Sequence, residues 1–398
     1  MKTLKSMRLH IGIFGKTNVG KSSFLNKITG QDMSIVSDIA GTTTDVVEKS
    51  MELLPVGPVT FLDTAGINDK TDLSAQRVEK TLKVINRIDI AVILCDFHGI
   101  DDYEKELFEK FNELKIPFMV VINKSDIEQI SDEKLSEIVN YTDKVLITSA
   151  ANDEKIVFKF KDLLVKMLPE DFVNSPKIVG DLVQAGDTVV LVIPVDKEAP
   201  KGRIILPQVQ TIRDLLDTNC MSYVVKETEL EAALENLKVP PALVVTDSQA
   251  FKTVSEIVPE TIPLTSFSIL FARLKGDLNA FIQGADAVES LNDGDRVLIL
   301  ESCTHHAIED DIGKVKIPAL LRKKTGKELV IEHYSGHDFP DIADYKLIIH
   351  CGACMTNRRE VLSRILLANS AGIPITNYGV VISYCLGILP RAISIFKK

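Results

Sequence analysis

The sequence lacks the features that mark membrane proteins and dedicated nucleic-acid binders. An apolar stretch at residues 380–389 is about half as long as a membrane span requires. Acidic residues outnumber basic ones, 56 to 46, and the formal net charge is −10. A nucleic-acid binder needs a clustered basic face, and the short basic cluster at residues 322–324 is typical of a solvated helix end. The composition therefore argues against nucleic acid or a membrane as a partner.

Cysteine is also scarce, with six residues in a chain of 398. The early apolar run at residues 9–14 leads directly into a phosphate-binding motif, so it is predicted to be a strand and not a signal peptide. Few cysteines without an export pattern are typical of a reducing compartment, and a cytoplasmic location is expected. Cys303, Cys351 and Cys354 form a pattern that needs its own explanation.

These three cysteines follow two predicted strands. A strand at residues 296–300 leads into a loop that contains Cys-Thr-His at 303–305. A second strand at residues 345–349 leads into His-Cys-Gly-Ala-Cys at 350–354. Because the ends of strands in one α/β unit meet at a crevice, the two loops are expected to form one site.

Three kinds of site fit this pattern. Zinc favours four nitrogen or sulfur ligands, which Cys303, Cys351 and Cys354 would provide with His305 or His350. A thiol–disulfide site would use Cys351 and Cys354 and would not need Cys303. An iron–sulfur cluster could take all three thiolates and leave one iron open to an exchangeable ligand. The spacing alone leaves these alternatives open.

A phosphate-binding loop follows the first predicted strand. Residues 15–22 read GKTNVGKS and fit the pattern GxxxxGK(S/T). Glycines let backbone N–H groups point at phosphate oxygens at the start of a helix, which here ends at Gly30. Lys21 is expected to reach the β- and γ-phosphates, and the Ser22 hydroxyl is expected to bind Mg²⁺.

Further motifs follow in an order typical of GTPases. Three of them stand at the ends of predicted strands, and GTTTD at 41–45 precedes them. The three are DTAG at 63–66, NKSD at 123–126 and SA at 149–150. Because ligands bind at the carboxyl ends of parallel strands, all of these segments are predicted to meet at one crevice.

This domain resembles the cation-dependent GTPases related to Era and to the tRNA-modification GTPases. The resemblance implies that Asp126 selects guanine, since a carboxylate accepts hydrogen bonds that adenine cannot donate. It also implies that Asp63 holds Mg²⁺ through water, that Gly66 contacts the γ-phosphate and that Thr43 senses both. The full nucleotide site would comprise Gly15, Asn18, Val19, Gly20, Lys21, Ser22, Ser23, Thr42, Thr43, Asp63, Gly66, Asn123, Lys124, Asp126, Ser149 and Ala150, with Mg²⁺ at Ser22, Thr43 and Asp63.

The same resemblance implies a second cation. Asn18 occupies the position that helps to coordinate K⁺ in these GTPases, and Ile67 stands where Ras-like proteins place a water-orienting glutamine. A K⁺ ion could neutralise charge that develops between the phosphates. We therefore expect slow, Mg²⁺-dependent and K⁺-stimulated GTP hydrolysis.

The predicted fold class is α/β with three domains. A doubly wound P-loop GTPase domain covers residues 1–170, a middle α/β domain covers 177–264, and a C-terminal α/β domain with the cysteines covers 265–398. The middle domain contains no chemical motif, so it is interpreted as an assembly module or a plain spacer. A single helix is expected at residues 266–280.

The combination of CxH, HCxxC, a GTPase and a middle α/β domain resembles the HydF family, the GTPases of [FeFe]-hydrogenase maturation. This resemblance covers the whole chain and implies a [4Fe–4S] cluster held by Cys303, Cys351 and Cys354. It further implies a scaffold or carrier for the di-iron subcluster precursor, which two radical-SAM maturases supply and an apo-hydrogenase receives. In the family the middle domain makes a homodimer or a larger assembly.

Two questions stay open at this stage. The fourth iron ligand could be His305, His350 or an oxygen ligand such as Glu301 or water. The alternative function is an RNA- or ribosome-associated GTPase with a structural zinc site, against which the acidic composition counts.

Overall fold

The computed structural model describes residues 8–30, 47–63, 81–169, 177–195, 204–301, 311–336, 339–353 and 356–397. The chain divides into two compact units, Met1–Ser175 and Pro176–Lys398. Six predicted site residues lie outside the described residues: Thr42, Thr43, Gly66, Cys303, His305 and Cys354.

The first unit is built on a six-stranded sheet with the order β2-β3-β1-β4-β5-β6. Its strands are β1 Leu9–Gly15, β2 Val47–Leu53, β3 Gly57–Asp63, β4 Ile90–Cys95, β5 Phe118–Ile122 and β6 Val145–Ile147. Only β2 among these named strands runs antiparallel to its neighbour. All residues of β1 are buried, as expected of a strand covered on both faces by helices.

Helices cover both faces of this sheet and enclose two apolar cores. They are α1 Lys21–Thr29, α2 Asp102–Glu113, α3 Asp132–Val139 and α4 Ile156–Lys166. Helix α1 ends at Gly30, whose φ of 67° closes the helix in the left-handed conformation. Helix α2 starts with a capping box, in which Asp101 and Glu104 satisfy each other's backbone N–H groups.

The second unit contains two four-stranded parallel sheets that share one core. One sheet has the order β10-β9-β7-β8 and the other β12-β11-β13-β14. The strands are β7 Thr188–Val192, β8 Met221–Val225, β9 Leu243–Thr246, β10 Leu264–Ser266, β11 Arg296–Glu301, β12 Val330–Ser335, β13 Leu347–His350 and β14 Ile375–Asn377. Val190 and Val244 of the first sheet belong to the same apolar core as Leu298 and Ile348 of the second.

The helices of this unit alternate with the strands. They are α5 Leu206–Asp217, α6 Leu230–Glu235, α7 Phe251–Ile257, α8 Phe267–Lys275, α9 Leu278–Asp286, α10 Ile317–Thr325, α11 Arg358–Ser370, α12 Tyr378–Cys385 and α13 Leu389–Ala392. Where one helix was expected at residues 266–280, the structure has two. Gly276 adopts an extended conformation, and the Asp277 side chain caps a new helix at Ala280 N. The prediction of a single helix was wrong, because this glycine–aspartate pair favours a helix break.

The α/β fold class predicted from the sequence is confirmed, with a P-loop sheet at the N-terminal side and further α/β sheets beyond it. Strand β10 spans the predicted boundary between residues 264 and 265 and pairs with β9. Over the described ranges, the helices are too short or too polar to cross a membrane.

Candidate nucleotide-binding and metal sites

The phosphate loop connects β1 to α1. Gly15 and Gly20 have φ values of 135° and 93°, which favour glycine strongly. The Lys21 ammonium is buried and donates hydrogen bonds to the carbonyls of Gly15 at 2.6 Å and Lys16 at 2.7 Å. The lysine therefore lies inside the curl of the loop, where a phosphate-binding lysine is required.

Asn123 joins the phosphate loop to the segments that follow β5 and β6. Its Nδ2 donates to the Val19 carbonyl at 2.9 Å, and its Oδ1 accepts from Ala150 N at 2.8 Å. A Cβ atom on Gly20 would lie 2.3 Å from Asn123 Nδ2. Three separate loops of the predicted nucleotide site are thus brought together by one buried amide.

The predicted guanine-binding carboxylate has a partner that sequence reasoning missed. Asp126 is exposed, and its Oδ2 accepts a hydrogen bond from Asn152 Nδ2 at 2.8 Å. Asn152 N in turn donates to Ser149 Oγ at 3.2 Å. Asn152 stands just after the SA segment, so its position beside that motif was the available signal.

Lys124 forms an ion pair with Asp96, the residue that follows β4. The Lys124 ammonium lies 3.2 Å from Asp96 Oδ2, and Ser125 N donates to the Thr148 carbonyl at 3.2 Å. These contacts hold the NKSD segment against the ends of β4 and β6. The segment is thereby fixed next to the phosphate loop.

A carboxylate pair lies beside the phosphate loop. The Lys16 ammonium forms an ion pair with Asp101 and lies 3.5 Å from Glu104 Oε2. The Glu104 side chain is 1% exposed. Burial, together with its hydrogen bond to Asp101, raises the pKa of Glu104 to about 7. The protonation of Glu104, in the first turn of α2, therefore changes the charge next to Lys16 of the phosphate loop.

Three predicted cation-binding residues of the GTPase unit, Asn18, Ser22 and Asp63, are among the described residues and lie near the same edge. Asp63 is the last residue of β3, which pairs with β1, and its side chain is buried. Ser22 and Ser23 start α1 and are exposed, as is Asn18, whose φ is 67°. Ser22 thus comes from the first turn of α1, directly after the phosphate loop, and Asp63 comes from the end of the strand next to β1.

The candidate metal site of the second unit lies at the carboxyl edge of its second sheet. Leu300 of β11 pairs with His350 of β13, so Glu301 and Cys351 are the next residues on neighbouring strands. Cys351 N donates to the Leu300 carbonyl at 2.8 Å, which ties the cysteine to β11. One thiol and one carboxylate thus leave the same edge of the sheet.

Tyr378 contacts the Glu301 carboxylate at this edge. Its hydroxyl donates to Glu301 Oε1 at 3.1 Å, and Ser335 Oγ donates to Glu301 Oε2 at 3.3 Å. The pKa of Tyr378 is raised by burial and then by the negative charges of Cys351 and Glu301. A Cβ on Gly313 would lie 2.3 Å from the tyrosine hydroxyl, so the space above Glu301 requires a glycine.

His350 is buried beneath this edge, and both of its ring nitrogens have partners. Nδ1 lies 2.8 Å from the Cys351 carbonyl, and Nε2 lies 2.8 Å from Arg364 Nη1. A carbonyl only accepts and a guanidinium only donates, so Nδ1 carries the proton. Burial, followed by the charge of Arg364, lowers the pKa of His350 to about 3. The ring is therefore neutral, and Arg364 forms a buried ion pair with Glu360 at 2.9 Å.

The two remaining cysteines of the pattern, Cys303 and Cys354, lie outside the described residues. The described residues contain no group of three or more His, Cys, Asp or Glu side chains that could hold a metal ion. Arg364, Tyr378 and Lys275, which surround the candidate site, carry no sequence pattern that would have identified them.

The parallel sheet, the curled phosphate loop and the NKSD segment define a P-loop GTPase domain. Residues 10–124 match the sequence model of the 50S ribosome-binding GTPase family. Residues 178–276 match the hydrogen maturase F dimerization domain, and residues 279–395 match the hydrogen maturase F tetramerization domain. The chain has the domain architecture of hydrogen maturase F and belongs to that family.

Two curated relatives each match about two fifths of this chain. The tRNA modification GTPase MnmE of Mesoplasma florum is 33% identical over 171 residues, which cover 42% of this chain and 36% of the relative. The GTPase Der of Nitratiruptor sp. is 33% identical over 175 residues, covering 42% of this chain and 38% of the relative. The chain thus spans less than two fifths of the length of these relatives.

A solved structure of Era from Aquifex aeolicus, bound to GDP and aluminium fluoride, is also similar. It is 21% identical and covers 62% of this chain and 97% of its own, with a TM-score of 0.33. The strand order β2-β3-β1-β4-β5-β6 defines the fold of the first unit independently of this similarity.

Proposed function

We propose that the chain hydrolyses GTP and acts as an iron–sulfur scaffold or carrier in the maturation of [FeFe]-hydrogenase. It would assemble or deliver the di-iron subcluster precursor, its cargo, to the apo-hydrogenase after receiving material from two radical-SAM maturases. Membership of the hydrogen maturase F family supports the maturation role. The observation that carries the proposal is that Cys351 and Glu301 leave neighbouring strands at one sheet edge.

The residues at this edge fit a [4Fe–4S] cluster. Cys351 provides a thiolate, the ligand type that iron–sulfur clusters require. Cys303 follows the end of β11 and Cys354 follows Cys351, so both come from the loops that leave the same two strands. When bound, the cluster would supply an iron with one replaceable ligand, to which a cargo with a bridging group can attach.

We infer that Glu301, and not His350, is the fourth ligand among the described candidates. The Glu301 carboxylate stands at the end of β11, beside the strand that precedes Cys351, and it accepts a hydrogen bond from the Tyr378 hydroxyl at 3.1 Å. His350 would have to give up a hydrogen bond to Arg364 or to the Cys351 carbonyl before it could bind iron. Its role is to hold the backbone of the loop, as outer groups of metal sites commonly do.

Anaerobic reconstitution with iron and sulfide tests the cluster. The wild-type protein should develop a broad brown absorbance and, on reduction, a paramagnetic signal. Cys351→Ser should lose both. Cys220→Ser is the matched control, because Cys220 is a buried cysteine of the other sheet's core. A colourless protein that binds stoichiometric zinc would refute the cluster and favour a structural zinc site.

We propose that GTP hydrolysis by this chain depends on Mg²⁺ and is stimulated by K⁺. Asn18 lies exposed on the phosphate loop, where its side chain can reach a bound cation. Hydrolysis should be slow, require Mg²⁺ and be faster in K⁺ than in Na⁺. Asn18→Ala should remove the K⁺ stimulation and leave the rate in Na⁺ nearly unchanged. Equal wild-type rates in the two salts would contradict the K⁺ site.

We further propose that the nucleotide state controls the release of partners. Such coupling requires two states with different affinities for a partner. The test measures dissociation of the radical-SAM maturases and of the apo-hydrogenase with GTP, with GDP and without nucleotide. Identical dissociation rates in the three nucleotide states, for each partner, would contradict this role of GTP.

An assembly role for the middle domain is supported by an open sheet edge. Strand β8 lies at one edge of its sheet. Met221, Tyr223 and Val224 on it are 58%, 38% and 44% exposed. Exposed apolar edge strands readily pair with another chain. We propose that β8 contributes to a homodimer, in keeping with the match to a dimerization domain.

A further inference from the structure

Lys275 is a buried cation that contacts the CxxC loop. It is the last residue of α8 and is 4% exposed. Its ammonium donates to the carbonyls of Ala353 at 2.6 Å and Thr356 at 2.9 Å. These two residues stand on either side of Cys354 in the sequence. One side chain therefore fixes the backbone before and after a candidate ligand.

The loop needs such support because its backbone is strained. Ala353 has a φ of 52°, a left-handed conformation that is unfavourable for a residue other than glycine. Conformations of this kind persist when surrounding contacts hold them. The Ala353 carbonyl accepts from Lys275 and also from the Thr356 backbone N–H at 3.3 Å. The lysine thus stabilises the backbone at Ala353, two residues after Cys351.

A reciprocal contact ties the two elements together. Arg358, the first residue of α11 after the loop, donates to the Leu274 carbonyl at 2.5 Å and lies 3.4 Å from the Gly276 carbonyl. Carbonyls at a helix C-terminus have no partner within their helix. The end of α8 and the CxxC loop therefore each satisfy polar groups of the other.

The surroundings of the ammonium are largely apolar. Lys275 and Cys351 line the same small cavity together with Phe271 and Phe281, and the ammonium lies 5.9 Å from the centre of the Phe271 ring. Burying a charge in such surroundings is costly unless it is compensated. A metal-binding Cys351 would be a thiolate, which brings a negative charge to the same cavity.

We propose that Lys275 is a positioning residue of the cluster site. It fixes the CxxC loop through its two carbonyl contacts, and its positive charge favours the more negative, reduced state of a thiolate-bound cluster. The proposal rests on the iron–sulfur site proposed above. Lys275 lies in the segment that matches the dimerization domain, whereas the loop lies in the segment that matches the tetramerization domain. The cluster site is thus completed by a neighbouring domain.

The positioning role can be tested without a metal. Hydrogen–deuterium exchange of the full-length apo protein should be at least tenfold faster in peptides covering residues 350–357 when Lys275 is changed to Met. Arg273→Met is the matched control, because Arg273 lies on the same helix but pairs with Asp181. Its exchange in this loop should equal that of the wild type. Unchanged exchange in Lys275→Met, or an equal change in the control, would overturn the positioning role.

The electrostatic role is read from the reconstituted cluster by redox titration monitored by electron paramagnetic resonance. Lys275→Met should make reduction at least tenfold less favourable, a shift of about 59 mV to lower potential for one electron. Lys275→Gln retains a donor without the charge, so it should show the same shift with less effect on exchange. A midpoint potential equal to that of the wild type in both variants would overturn the electrostatic role.

These experiments distinguish a failure of the role proposed for Lys275 from a failure of the proposed iron–sulfur site. If the wild-type protein took up no iron, the proposed function would fail, while the exchange data would still decide whether Lys275 positions the loop. The far-UV circular dichroism spectrum of each variant reports whether the whole chain, including the second unit, keeps its fold. If Lys275→Met lost it, Lys275→Gln would carry both measurements.

Discussion

Arg364 donates a hydrogen bond to Nε2 of His350 at a distance of 2.8 Å, in the buried layer beneath the CxxC loop. The guanidinium is itself anchored by Glu360 and by the Gly336 carbonyl at 2.7 Å. Because this nitrogen is already engaged, the histidine that precedes Cys351 is suited to hold the loop. The sequence motif alone did not distinguish that role from iron ligation.

The fourth-ligand assignment predicts different effects for two substitutions. Glu301→Gln should change the g values of the reduced cluster, because the anionic oxygen ligand is lost. His350→Gln should keep those g values while the cluster loses iron faster to a chelator, since the loop is less well held. Electron paramagnetic resonance and chelation kinetics measure the two effects. Imidazole nitrogen coupling that disappears in His350→Gln would show instead that His350 binds iron.

Two glycines at the ends of α1 allow a matched test of the phosphate loop. Gly20→Ala should lower GDP affinity at least a hundredfold, because its Cβ would lie 2.3 Å from Asn123 Nδ2. Gly30→Ala shares the positive φ but meets no atom within 4 Å. It should therefore cost only the conformational strain of about 1–2 kcal/mol. Titration with a fluorescent GDP analogue and thermal unfolding distinguish the two. Equal GDP affinity in both variants would contradict the bridging role of Asn123.

The buried carboxyl of Glu104 predicts a pH dependence of stability. Its folded pKa is raised to about 7 from an ordinary value of 4.5. The folded state therefore binds the proton more tightly, and the stabilisation from that proton is lost as pH rises from about 4.5 through about 7. Glu104→Gln keeps an acceptor for Asp101 N but cannot titrate. Calorimetry from pH 6 to 8 should show the variant gaining stability relative to the wild type up to about pH 7. A constant difference across this range would mean that Glu104 does not titrate there.

The edge of β8 predicts the effect of charge on self-association. Met221 and Tyr223 lie two residues apart and face the same side of the strand. Changing both to Lys should weaken self-association at least tenfold, because charged edge strands resist pairing. Val139→Lys places a similar charge on an exposed apolar residue of the GTPase unit and should leave the assembly intact. Light scattering across a concentration series measures the mass of the assembly. An unchanged mass for the double variant would show that β8 is not part of the interface.

Strong local patterns made much of the fold predictable. The strand predicted at residues 9–14 is found as Leu9–Gly15, and the strand predicted at 296–300 as Arg296–Glu301. Both are largely apolar runs followed by polar motifs, a pattern that admits few alternatives. Short or weakly apolar elements were missed, including Leu264–Ser266 and Ile375–Asn377, since three residues give no readable period.

The sequence by itself determined the GTPase class and the pairing of two cysteine loops with two strands, because those motifs need fixed residues at fixed spacing. Only the tertiary structure decided which distant side chains meet there. Arg364 reaches His350, Tyr378 reaches Glu301, and Lys275 reaches Ala353 across long stretches of chain. Such contacts arise from the packing of helices against a sheet edge, and no local pattern records them.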